Sequence, residues 1–237
     1  MKVVFFSDLV TMRRYLGQLL GTCAFIAVFM AIVTQSAVPV GACLTAMVPM
    51  MFLFSIVAYD EMNSWESFRL ALPVTRNGVV AGRYASFLFA VLASMAIGAA
   101  LTCLLLLCAS ALSSYFEVAQ TIASEGIDFT AIVGSVLMAA AFVIVLMSLS
   151  LPVIMRSGMT RGARFLPVVM VIAFVGAGFI FGEDGPLSSV GQALFGWMDT
   201  LGSESLILAF AAVFAASLVV YAISALVSAR LYAAREF

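Results

Sequence analysis

Residues 129–155 read FTAIVGSVLMAAAFVIVLMSLSLPVIM, an apolar run without one charged side chain, bounded by Asp128 before it and Arg156 after it. About 20 apolar residues of α-helix cover the roughly 30 Å of bilayer hydrocarbon, so the run reads as a membrane span. Five more runs of this kind lie along the chain: Leu16–Thr34 (LGQLLGTCAFIAVFMAIVT), and about 40–59, 84–112, 165–182 and 205–228. Composition agrees. The 237 residues are 65% hydrophobic and 10% charged, with a mean hydropathy of +1.19, whereas soluble domains hold about 45–50% apolar and ~25% charged residues. The expected fold is an all-α polytopic membrane protein with six transmembrane helices. The six spans read as one domain over 1–237, with no Gly/Ser- or Pro-rich linker and no repeat between the first and last three. A chain of this length has room for little else, which excludes an appended ATPase, kinase or nucleic-acid-binding domain.

Charge fixes the orientation. Lys2, Arg13 and Arg14 precede span one; Arg69, Arg76 and Arg83 separate spans two and three; Arg156, Arg161 and Arg164 separate four and five; Arg230 and Arg235 follow six. All eleven bases therefore fall on one side. The opposite loops carry Glu117, Glu125, Asp128, Glu183, Asp184, Asp199 and Glu204, seven acids without a base. The positive-inside rule turns the basic side to the cytoplasm and places both termini there. Five or seven spans would break this segregation.

A cleavable signal peptide fits the N-terminus badly, because Ser7 and Asp8 interrupt the early apolar residues and the next run exceeds a 7–15-residue h-region. Two readings remain open. Phe5, Phe6, Leu9, Val10 and Met12 alternate with Lys2, Asp8, Arg13 and Arg14, as in a short interfacial helix; or the segment is an ordinary basic flank.

Several chemistries are missing. Histidine is absent, which removes His-based catalysis and His metal ligation. Cys23, Cys43, Cys103 and Cys108 lie inside apolar runs and read as small buried hydrophobes. Every Asp, Glu, Lys and Arg lies in a loop or at a span end, whereas ion-coupled transporters place costly ionisable groups mid-span. Gln18, Thr22, Thr45, Ser94, Thr102 and Ser148 read as groups bonding their own or a neighbouring helix. Gly17 and Gly21, with Ala24, form a small-residue face suited to close helix contact. No acid pair or activated nucleophile serves a membrane enzyme. The adjacent Asp60 and Glu61 come nearest, but point about 100° apart on a helix.

The segment 60–83, DEMNSWESFRLALPVTRNGVVAGR, is the most informative loop. Asn63 and Glu66 resemble a capping box that starts a helix at Ser64. Trp65, Phe68 and Leu72 recur at i, i+3 and i+7, Pro73 ends the helix, and Asn77-Gly78 can turn the chain into span three. Three acids, Asp60, Glu61 and Glu66, balance Arg69, Arg76 and Arg83. A surface for anionic lipid would be mainly basic, so a mixed surface with an aromatic anchor suits a protein groove. The competing reading makes Trp65 and Phe68 an interfacial aromatic belt.

The pattern Asp60-Glu61, Trp65-Glu66-x-Phe68, Leu72-Pro73-Val74-Thr75-Arg76, then Val80 and Arg83-Tyr84, resembles the small type-2 ABC transporter permeases of bacteria. A weaker match follows span four: Leu151-Pro152-Val153-Ile154-x-Arg156-x-Gly158, then Arg161-Gly162-x-Arg164. The resemblance implies a membrane-spanning subunit of an ABC exporter in the bacterial cytoplasmic (inner) membrane. It implies a short cytoplasmic coupling helix between spans two and three, docking on a separate ATP-binding cassette subunit. Asp60, Glu61, Trp65, Glu66, Phe68, Arg69, Leu72, Pro73 and Arg76 would form that docking surface. It further implies a second permease subunit, identical or paralogous, surrounded by membrane lipid and without nucleic acid. The chain itself would bind no cofactor and catalyse nothing, ATP and Mg belonging to the partner subunit. Family members often place short re-entrant helices between spans five and six, and Leu187, Val190, Leu194 and Trp197 have the spacing for one. No large extracellular domain is expected. The alternative function is a gradient-driven carrier or channel working without an ATPase.

Overall fold

A computed structural model describes residues 2–13, 16–62, 75–124, 126, 128–157, 168, 171–172, 175–176, 179, 185–186 and 188–233. Its elements are α1 (Lys2–Arg13), α2 (Leu16–Thr34), α3 (Val38–Met62), α4 (Arg76–Leu112), α5 (Glu117–Ser124), α6 (Phe129–Ser157), α7 (Ser188–Asp199) and α8 (Ser203–Ala233). Among the described residues there is no strand. Five of these helices, α2, α3, α4, α6 and α8, are long and apolar enough to cross a membrane. The predicted span 165–182 falls mostly outside the described residues; Val168, Val171, Ile172, Val175, Gly176 and Phe179 within it are helical.

The helices outrun the apolar runs that announced them. α3 continues through Asp60 and Glu61 to Met62. α4 begins at Arg76 and not near Tyr84, so Asn77 and Gly78 belong to its first turn of helix. Hydropathy stops at a charge, whereas the backbone bonding of a helix does not. α5 had no counterpart in the hydropathy reading, although Val118 and Ile122, one turn apart, mark its inward face.

α2, α3, α4 and α6 alternate in direction, and α8 runs parallel to α6, Phe210 lying by Gly134 and Ser224 by Ser148. Arg13, Arg83 and Arg230 lie toward one end of the bundle, and Glu117, Asp128 and Glu204 toward the other; these are called the basic and acidic ends below. α8 packs chiefly on α6, α3 on α4 and α6, and α2 along α3, while α1 crosses α4. One buried core serves the basic end, built from Leu53 and Ile56, Phe87 and Val91, Ile144, Met147 and Leu151, and Tyr221. A second serves the acidic end, where Ala31, Val40, Leu44, Leu106, Ile122 and Ile132 meet.

Lipid tails are as apolar as leucine, so helices in a bilayer gain by close packing and satisfied polar groups. Two glycines bring the backbones of α3 and α4 close together. A Cβ on Gly98 of α4 would lie 2.7 Å from the Gly41 carbonyl oxygen of α3, and one on Gly41 would lie 2.8 Å from Thr102 Oγ1. The predicted close face at Gly17 and Gly21 is instead open, with nothing within 4 Å of either added Cβ.

Two prolines interrupt helices, and each freed carbonyl finds a serine. A proline has no N–H for the carbonyl four residues earlier. Pro49 in α3 thus releases the Thr45 carbonyl, which lies 3.3 Å from Ser94 Oγ of α4, a hydroxyl shared with the Val91 carbonyl of its own helix at 2.7 Å. Pro152 in α6 releases the Ser148 carbonyl, which accepts from Ser224 Oγ of α8 at 2.6 Å. In hydrocarbon an orphan carbonyl costs several kcal/mol, so the Ser224 bond offsets the cost of Pro152. Thr22, Thr45, Thr102 and Ser148 bond carbonyls of their own helices, as expected. The cysteines depart from expectation: Cys23 is buried and Cys43 half-buried, but Cys103 and Cys108 are exposed on α4.

Candidate functional site

The loop that the sequence singles out leaves and returns at the basic end. Asp60 and Glu61 belong to the last turn of α3, and Arg76 opens α4. Trp65, Glu66, Phe68, Arg69, Leu72 and Pro73 lie outside the described residues. Because α3 and α4 are packed neighbours, Met62 and Thr75 anchor the two loop ends to one rigid pair. Thr75 is the N-cap, with extended backbone (φ −69°, ψ 144°), and its Oγ1 accepts from the Gly78 N–H at 3.2 Å. Such a cap is worth about 1 kcal/mol.

Seven residues into α4 the chain buries a charge. Arg83 was expected between spans; it is helical, 1% exposed, and donates from a terminal guanidinium nitrogen to Asp8 Oδ1 at 3.2 Å. Asp8, 3% exposed, also accepts from Ser86 Oγ at 2.8 Å through Oδ2. A buried guanidinium or carboxylate alone would cost several kcal/mol, so the pair forces α1 against α4. Val4 is buried beside it, and Phe5 meets Phe89 edge-on at 5.8 Å. Of the two N-terminal readings, the flank is therefore set aside: the segment is a helix packed on the bundle. Phe6 and Val10 remain on its exposed side, where lipid can meet them.

Next to this pair runs a chain of hydroxyls. Ser224 gives its one proton to the Ser148 carbonyl, so Tyr84 must donate to Ser224 (2.9 Å) and Ser228 to Tyr84 Oη (2.7 Å). Tyr221 Oη donates to the Tyr84 carbonyl at 2.9 Å, and the two rings pack with centroids 4.8 Å apart. The bonds tie α4, α6 and α8 together just beyond the loop.

The contacts of this site bind helices to one another: its acid and base are paired, its hydroxyls bond carbonyls, the carboxylate or each other, and among the described residues no cluster of His, Cys, Asp or Glu could hold a metal. The pairing of Asp8 with Arg83, and of Tyr84 with Ser224 and Ser228, escaped the sequence reading. The partners are at least 75 residues apart in the chain, and one sequence carries no signal of such pairing.

The family profile described as ABC-2 family transporter protein matches residues 4–233. No curated protein and no solved structure matches the chain. A match over nearly the full length, on a helical bundle with these spans, settles the assignment: the chain belongs to the ABC-2 family and is a membrane permease component of an ABC transporter.

Proposed function

We propose that the protein is the permease subunit of an ATP-driven exporter, working as a dimer with an identical or paralogous chain. Energy enters from a separate ATP-binding cassette subunit, which carries ATP and Mg and docks on the 60–83 loop. Asp60, Glu61, Trp65, Glu66, Phe68, Arg69, Leu72, Pro73 and Arg76 form the docking surface, the aromatic pair supplying the anchor. One observation carries the reading: the loop springs from α3 and α4 at the end where α1, α4, α6 and α8 are bound by a buried ion pair and a hydroxyl chain. A push on such a base moves several spans together.

The basic end faces the cytoplasm of a bacterial inner membrane. Six spans and cytoplasmic termini are supported by α6 ending at the basic end while α8 begins at the acidic end. A gradient-driven carrier is less well served, since Asp8 and Arg83 are already paired and the span hydroxyls named above bond carbonyls.

The test is copurification and ATP-dependent transport. The intact chain should retain an ATP-binding subunit through detergent extraction. The Trp65→Ala, Phe68→Ala double variant should insert normally yet lose at least ten-fold of ATP-driven transport. Uphill transport by the chain alone, driven by an ion gradient, would overturn the proposal.

A further inference from the structure

At the acidic end α4 runs on past the start of α3. It contacts α3 at Gly41 and Gly98, three residues from the start of α3, and then continues for fourteen residues to Leu112, about 21 Å of helix. The chain turns at residues 113–116 and folds back as α5, whose Ile122 is buried and whose Val118 packs against the acidic-end core. α5 thus brackets a groove between α2 and α4 of about 780 Å³. Small-molecule sites span about 300–1,000 Å³, and this one is large enough for an alkyl chain.

Its lining is carbon almost throughout, with Ile32 from α2, Leu105 and Leu112 from α4, and Ile122 from α5. One ionisable group that carries charge at neutral pH lines it: Glu117, in the first turn of α5. No Lys or Arg is among the described residues that line the groove, so its lining supplies no base to neutralise this carboxylate. Tyr115 and Phe116, 79% and 63% exposed, line the groove beside it. Aromatic faces next to a carboxylate are the surroundings in which ammonium groups bind.

We propose that the groove bracketed by α5 binds a single-chain amphiphile with an ammonium head, its alkyl chain between α2 and α4 and its head against Glu117, Tyr115 and Phe116. An anionic head would meet Glu117 with no base in the lining to offset the repulsion. A neutral head would gain the apolar contacts alone. As a cargo site the groove rests on the exporter reading; as a binding site it does not.

The test uses the purified full chain in uncharged alkyl-maltoside micelles, with no ATPase present. The probe is a dodecyltrimethylammonium analogue carrying a diazirine in its chain, with labelled peptides mapped by mass spectrometry. Labelling should concentrate in 28–32, 105–112 and 115–122, and excess dodecyltrimethylammonium should compete at least ten-fold better than dodecyl sulfate. Glu117→Gln should erase that preference and Glu117→Asp should keep it. Ala109→Phe, which fills the groove, should abolish labelling there, with each variant's helicity and elution checked against wild type. Labelling spread evenly over lipid-facing residues such as Val219 and Leu226 would overturn the proposal. So would an unchanged preference in Glu117→Gln. None of these results bears on copurification with an ATPase, so the two proposals fail separately.

Discussion

Replacing Asp8 by Asn leaves the Arg83 guanidinium buried without its counter-charge while changing almost no volume. The two groups are 3.2 Å apart and 3% or less exposed. At an effective dielectric of about 20, unit charges at that distance attract by about 5 kcal/mol. Mutations that strip one partner from a buried pair typically cost about 3–5 kcal/mol. The substituted amide would keep an acceptor for Ser86, which places the expected loss near the lower figure. At about 2–4 °C per kcal/mol for a chain of this size, the midpoint of thermal unfolding in detergent should fall by about 6–12 °C. Arg83→Met should cost a similar amount, because it leaves the carboxylate buried. The double variant Asp8→Asn, Arg83→Met removes both charges and should regain most of either single loss. A second readout follows α1: trypsin should cleave after Arg13 or Arg14 faster in the single variants than in wild type. If the two losses simply add in the double variant, or if Asp8→Asn unfolds within about 1 °C of wild type, the pair is not what holds α1 to α4.

Gly98→Ala puts a methyl 2.7 Å from the Gly41 carbonyl and should cost about 1–3 kcal/mol by overpacking, read as a lowered unfolding midpoint; Gly17→Ala, in open space, should leave it unchanged. Ser224→Ala orphans the Ser148 carbonyl freed by Pro152 and should cost about 1–3 kcal/mol. Adding Pro152→Ala restores a backbone donor and should recover part of that loss; strict additivity in a double-mutant cycle would refute the pairing. Cys103 and Cys108, exposed on α4, should react with a lipid-soluble maleimide in intact membranes well before Cys23, a rank that mass spectrometry of labelled peptides can check.

The spans were legible because bilayer thickness imposes a length and hydrocarbon excludes charge, so runs such as 129–155 announce themselves. Helix ends were less legible. α4 runs eight residues past its apolar run because Arg83, a stop signal to any hydropathy reading, is neutralised by Asp8 from another helix. The small-residue contact was legible in kind but not in place: Gly17 and Gly21 have the expected spacing, yet Gly41 and Gly98, on different helices, make the contact. Pairing between helices is a property of the assembled bundle, and one sequence does not encode it in any local period. The same holds for Ser94 and Ser224. A serine in a span reads as bonding its own helix, and only the neighbour's proline explains the second bond. Of the docking surface proposed above, the sequence reading supplies the aromatic spacing, and the structure supplies the helix ends at Met62 and Thr75 from which the loop leaves and to which it returns.

α4 has 37 residues and no proline to kink it, about 55 Å of helix against the roughly 30 Å of hydrocarbon in a bilayer. Gly98 meets α3 part of the way along, with about 33 Å of helix on the Arg76 side and about 21 Å on the Leu112 side. The longer arm is also fastened to α1 at Arg83 and to α8 at Tyr84. Displacement of that arm would therefore carry α1 and α8 with it, and the Leu112 arm would follow as the far end of one unbroken helix.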